Sequence, residues 1–215
     1  MRDKRRLPSR KELHQFMVRE AYPYKFKYVT DVQPLRVNVQ NRVIYVNEEV
    51  LMNVVRDLVE AGLDWREIMS KNLRHEKAHE KFFKWNVKWG VGAEEYGWLT
   101  SYLTDIVIDK IYFANDGEYQ RSLLADCRHA FEKTQRGLLR LFPIVSLRPH
   151  FLYNQAAYWI AVGAVKLEEA VKLYPERADY IMRMADLFSR IKCEEDLEWA
   201  FPEAKRIYLK EFLTP

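Results

Sequence analysis

The sequence predicts an α+β fold, predominantly helical with a small N-terminal β-sheet, on three observations. Residues 24–46 carry stretches with period two, as strands do. Helix-starting residues stand at Ser9 with Glu12, at Asn47, and at Asp64 with Glu67. Beyond the strong turn Asn115-Asp116-Gly117, the remainder reads as helix.

Taken in order, Ser9 followed by Glu12 is a capping-box pattern, which starts a short helix running to about residue 20 before Pro23 interrupts it. Tyr24, Phe26 and Tyr28 alternate with Lys25 and Lys27, and residues 36–40 and 42–46 are rich in valine with period two. These make a sheet of two or three strands. Asn47 caps the next helix, Glu48 and Glu49 suit its positive end, and Gly62 suits its C-terminal stop. Asp64 with Glu67 opens a further helix to about residue 89. Lys77, Lys81, Lys84 and Lys88 line one face of it at spacings of 4, 3 and 4, marking a solvent face opposite Ile68, His75, His79 and Phe82. Gly90-Val91-Gly92 breaks the chain, and a third helix is predicted over residues 94–114. The expected organisation is an N-terminal lobe over residues 1–92, with the sheet and the helix of His75 and His79, and a helical lobe over residues 93–215.

A chain of 215 residues buries roughly 70% of its unfolded surface and needs no staples. Cys127 and Cys193 lie outside any CxxC pattern and read as ordinary thiols of a reducing compartment. The basic cluster at residues 2–11 is not followed by the apolar run of a signal peptide, so cytoplasmic residence is expected. The apolar stretch 156–165 falls short of the roughly 20 residues that span a bilayer, so no membrane span is expected. A net charge of +4 spread over the chain is not a nucleic-acid footprint, and the basic cluster is read first as a solvated tail before a helix. Oligomeric state is not legible.

Residues 75–79 read His-Glu-Lys-Ala-His, an HExxH pattern within a segment independently assigned to a helix. Four-residue spacing puts the two imidazoles about 40° apart on one face, one turn apart, so both can reach one zinc ion at about 2.0–2.1 Å. Glu76 lies about 100° around, beside such an ion, where a carboxylate can take the proton of an attacking water. The plain structural alternative is a helix with two partly buried, satisfied histidines. A third ligand is sought on the third helix, where Asp105 and Asp109 share a face with Trp98, Tyr102 and Tyr112. One of the two aspartates binds metal and the other accepts the outward N–H of a ligating histidine; ion pairs to Arg74 and Lys71 are the structural alternative. Glu94 and Glu95 are lesser candidates, since the start of a helix already favours acids.

On these residues the chain resembles the zincin metallopeptidases, specifically a gluzincin-like HExxH family of small prokaryotic and archaeal type, over about residues 36–115. In that family the motif is followed by a helix carrying an acidic ligand and a second acid four residues on, and Thr104-Asp105-Ile106-Val107-Ile108-Asp109 looks like that segment. The resemblance implies a zincin-like fold, one zinc ion per chain, a peptide or protein substrate, Asp105 as ligand and Asp109 behind it. The family usually has Glu where this chain has Asp, and a related pattern, Asn-Ile-x-x-Asp, makes Asp109 the ligand; both assignments stay open. The strand over residues 43–46 looks like the edge strand on which zincins lay an extended substrate. An oxyanion donor is expected from His150 or Tyr153.

Two other classes compete. Glu76 with His79, and Asp126 with His129, are ExxH and DxxH patterns of the kind a ferritin-like di-iron carboxylate bundle uses, though that leaves His75 unexplained. A non-catalytic helical interaction protein with a chance motif is the third.

Overall fold

The computed structural model describes residues 6–30, 34–89, 97–137 and 150–213, without the side chains of residues 86, 97 and 98. Backbone contacts divide the chain into two compact units, Met1–Phe83 and Lys84–Pro215. The predicted break at Gly90-Val91-Gly92, and Glu94 and Glu95, lie outside the described residues.

In the first unit, helix α1 (Arg10–Ala21) begins at the capping box: Glu12 N donates to Ser9 Oγ at 3.2 Å, and Ser9 N donates to Glu12 Oε2 at 2.8 Å. Strands β1 (Lys25–Tyr28), β2 (Leu35–Asn38) and β3 (Val43–Val46) follow. The sheet order is β1-β3-β2: Phe26 stands opposite Ile44 in a parallel pair, and Val37 opposite Ile44 in an antiparallel one. Residues 43–46 were expected to form an edge strand, and instead they are central. Both hydrogen-bonding sides of β3 are used by its neighbours, so it has no free backbone for an extended substrate. Ile44 and Val46 point into the core with no exposure.

Helix α2 (Glu48–Glu60) starts where Asn47 Oδ1 accepts from Val50 N at 3.2 Å. It ends in a Schellman motif: Gly62 takes φ +75° while Leu63 N donates back to Leu58 O at 2.9 Å and Gly62 N to Val59 O at 3.0 Å. Only glycine adopts that backbone without strain. Helix α3 (Trp65–Lys88) follows.

The second unit, among the described residues, is helical throughout. Helix α4 (Gly97–Val107) runs directly into a π-helical turn (Ile108–Tyr112), where the predicted third helix continued as α. Asp116 Oδ1 accepts from Tyr119 N at 2.9 Å and starts α5 (Gly117–Gln135). Then come α6 (His150–Ala161), α7 (Leu167–Leu173), α8 (Ala178–Arg190) and α9 (Leu197–Phe212). Among the described residues no helix is long and apolar enough to cross a membrane. Ile181, Met184, Ala185 and Phe188 form the i, i+3, i+4, i+7 stripe of α8, and α8 packs on α6 and α9. At its centre Tyr180 donates to Asn154 Oδ1 at 2.9 Å and Asn154 Nδ2 donates to His150 O at 2.8 Å, which satisfies a fully buried amide.

Phe188 has no exposure and stacks against Tyr102 with ring centroids 6.4 Å apart. Phe188→Ala is expected to lower stability by about 3–5 kcal/mol, read from the urea midpoint; a loss under about 1 kcal/mol would mean that α8 is not the core of its unit.

Candidate metal centre

His75 and His79 sit in the middle of α3, both half-buried, with ring centroids 4.9 Å apart and planes at 81°. Three contacts within the first unit hold that stretch of helix. Upstream, Ser70 Oγ donates to Glu20 Oε2 at 3.2 Å. Between the histidines, Lys77 Nζ donates to the carbonyls of Tyr22 at 3.0 Å and Glu20 at 3.3 Å, so a lysine compensates the exposed carbonyls at the end of α1. The predicted solvent stripe is corrected there: Lys77 is turned onto α1, while Lys81, Lys84 and Lys88 are exposed as expected. Lys84 pairs with Glu194 and Lys88 with Glu198, within the second unit.

Just downstream, Glu80 accepts from Tyr24 Oη at 3.0 Å and from Arg42 at 2.7 Å and 3.2 Å. Arg42 carries a φ of +50°, an uncommon conformation for a residue with a Cβ. The Arg42 guanidinium first, and the Tyr24 hydroxyl second, hold the Glu80 carboxyl below its usual range. Burial, followed by the charge of Glu80, pushes Tyr24 up to about 12. Glu76 stands one turn before Glu80 and adds to the negative field on Tyr24. Among the described residues no hydrogen bond or ion pair engages the Glu76 carboxylate. Of the two glutamates on this helix face, Glu80 is tied down and Glu76 is available.

Asp105 lies half-buried on α4. Among the described residues one group of possible metal ligands emerges: His75, His79 and Asp105 each offer one ligand atom, and these atoms lie within 4.8 Å of one another. Two imidazoles and one carboxylate fit zinc, and three protein ligands leave a coordination position open, as catalytic sites require. The possible metal-binding site is therefore built from the motif histidines and the first of the two aspartates.

Asp109 is placed differently. It is 1% exposed within the π-helical turn and accepts from the hydroxyls of Tyr119 and Tyr158. Gln120 Nε2 donates to the Asp109 carbonyl at 2.6 Å, meeting an acceptor of the widened turn. Burial, then the Asp109 charge, pushes the Tyr158 hydroxyl well above its ordinary value. Burial, then Asp105, does the same for Tyr102.

His150 opens α6 and packs among Phe151, Tyr208 and Phe212. Tyr153 stacks on Phe212 and its hydroxyl donates to Glu176 at 3.4 Å. Asp126 and His129 lie half-buried on α5 and do not belong to the group of three. The residues that sequence reasoning missed are Tyr24, Arg42 and Glu80. Only Glu80, one turn beyond Glu76, carried any signal.

The low-lying Glu80 carboxyl sets the sign of a pH effect. Its folded value is below 4.5, so the stability it contributes is complete above pH 4.5 and fades as the pH falls through the folded value. Glu80→Gln is expected to flatten the acid side of the stability curve below pH 4.5, followed by fluorescence-detected urea melts; an unchanged acid limb would disprove the coupling. Compared with known proteins, this chain matches no family model, and no curated protein or solved structure matches it.

Proposed function

We propose that this protein is a zinc-dependent metallohydrolase, most simply a metallopeptidase, in which His75, His79 and Asp105 hold the metal and Glu76 is the general base. The observation that carries the reading is the convergence of those three ligand atoms within 4.8 Å. A zinc ion in such a set supplies Lewis acidity toward a carbonyl oxygen and a nearby water. Glu76, about 100° around the helix from His75, takes the proton of the attacking water and returns it to the leaving amine. Its availability supports that role, because a base already locked in ion pairs, as Glu80 is, transfers protons poorly. Asp109 would act through position, its two tyrosine donors fixing the helix that bears Asp105. His150 and Tyr153 take no step in this scheme.

Elemental analysis of purified, reconstituted protein is expected to find about one zinc per chain. Asp105→Ala should lose that zinc, whereas Asp109→Asn should keep it. Glu76→Gln should also keep it, while hydrolysis of a casein or peptide-library substrate falls by about 10²–10⁴-fold. Zinc that survives Asp105→Ala but not Asp109→Asn would move the ligand to Asp109. Two irons per chain, lost on His129→Ala, would establish the di-iron bundle instead. No metal at all would leave an interaction protein, and full activity in Glu76→Gln would remove the base.

A further inference from the structure

A cavity of about 450 Å³ lies in the first unit, away from the histidine turn in sequence, lined by Arg6, Glu12, Gln15, Phe16, Arg19, Trp65 and Arg66. Its walls follow from helix periodicity. Glu12, Gln15, Phe16 and Arg19 are one stripe of α1 at i, i+3, i+4 and i+7, and Trp65 and Arg66 are the first turn of α3. Phe16 and Trp65 meet edge to face at 5.2 Å and form an aromatic wall. Guanidinium groups lie over both rings: Arg66 at 4.6 Å from the Trp65 centroid and Arg19 at 5.6 Å from that of Phe16.

The charges do not cancel. Arg6 pairs with Glu12, and Arg19 with Glu20 at 3.1 Å. Among the described residues no carboxylate pairs with Arg66, whose described side-chain contact is the indole face. A second, independent observation is that Trp65, only 1% exposed, carries an indole N–H that is buried and has no acceptor among the described residues. A buried donor without an acceptor is costly, and structures seldom keep one without reason.

We propose that this cavity binds a small oxyanion, a carboxylate or phosphate carried on a flat apolar group. The oxyanion pairs with the Arg66 guanidinium, whose planar fork is pre-oriented by the indole beneath it. The apolar part lies against Phe16 and Trp65, and Arg19 and Arg6 add long-range attraction. The site is distinct from the candidate metal centre, and its test is independent of metal content.

Phenyl phosphate, benzoate and inorganic phosphate would be titrated at constant ionic strength into the full chain by calorimetry, with the Trp65 indole N–H signal followed by NMR. Saturable binding of phenyl phosphate or benzoate is expected, with a shift of the Trp65 resonance. Arg66→Gln should weaken it about tenfold or more, and inorganic phosphate should bind less tightly than phenyl phosphate. Benzoate binding without phenyl phosphate would narrow the ligand to carboxylates, and the reverse to phosphates. Absence of saturable binding by all three probes, or binding that Arg66→Gln leaves unchanged in a variant of wild-type melting temperature, would overturn the proposal. Arg66→Lys keeps the charge but not the fork, so restored affinity there would reduce the site to a point charge and overturn the bidentate pairing.

Discussion

A helix offers two imidazoles to one ion only while it stays in register, and α3 is a helix of 24 residues with histidines near its middle. The features of the first unit converge on keeping that register. The end of α1 reaches α3 twice, through Glu20 to Ser70 and through its terminal carbonyls to Lys77. The start of β1 and the turn before β3 reach it again, through Tyr24 and Arg42 to Glu80. These contacts bracket positions 75–79 from both sides. Each is a modest, partly exposed polar contact, but a helix held at three points along ten residues cannot rotate about its axis without breaking all of them together.

The same bracketing separates chemically similar side chains by role. Glu76 and Glu80 are identical residues one turn apart, yet Glu80 is spent on a guanidinium and a phenol. Asp105 and Asp109 divide likewise. Asp109 is drawn to two tyrosine hydroxyls in a dry interior, where an ionised carboxylate needs strong donors. Asp105 keeps a half-buried position and joins the histidines.

Much of this was legible in the residues alone, because capping chemistry is local. Ser9 with Glu12, Asn47, Gly62 and Asp116 mark their termini by hydrogen bonds that span only a few positions, and each does so in the structure. The histidine pair was legible for the same reason, since its geometry is a property of one helical turn. Sheet order was not: residues 25–28 pair with residues 43–46 across an intervening strand, and nothing in the composition of 43–46 distinguishes a central strand from an edge. Lys77 was assigned to solvent because periodicity reports a face and not what lies opposite it. The triad of Tyr24, Arg42 and Glu80 is assembled from three distant segments, and Arg42 in particular is an ordinary strand residue by type with an extraordinary backbone angle.

The widened turn at Ile108–Tyr112 has a consequence for distance along the chain. In an α-helix, residues four apart stack, which is why Asp105 and Asp109 read as neighbours on one face; a π turn spreads the same backbone over a longer ring and lets the second residue swing away. Such a turn is in effect one residue of slack. It lets the chain upstream keep the phase that a ligand needs while the chain downstream keeps the phase its own core needs. A single deletion inside it would remove the slack, forcing one of the two helical segments to give up its alignment.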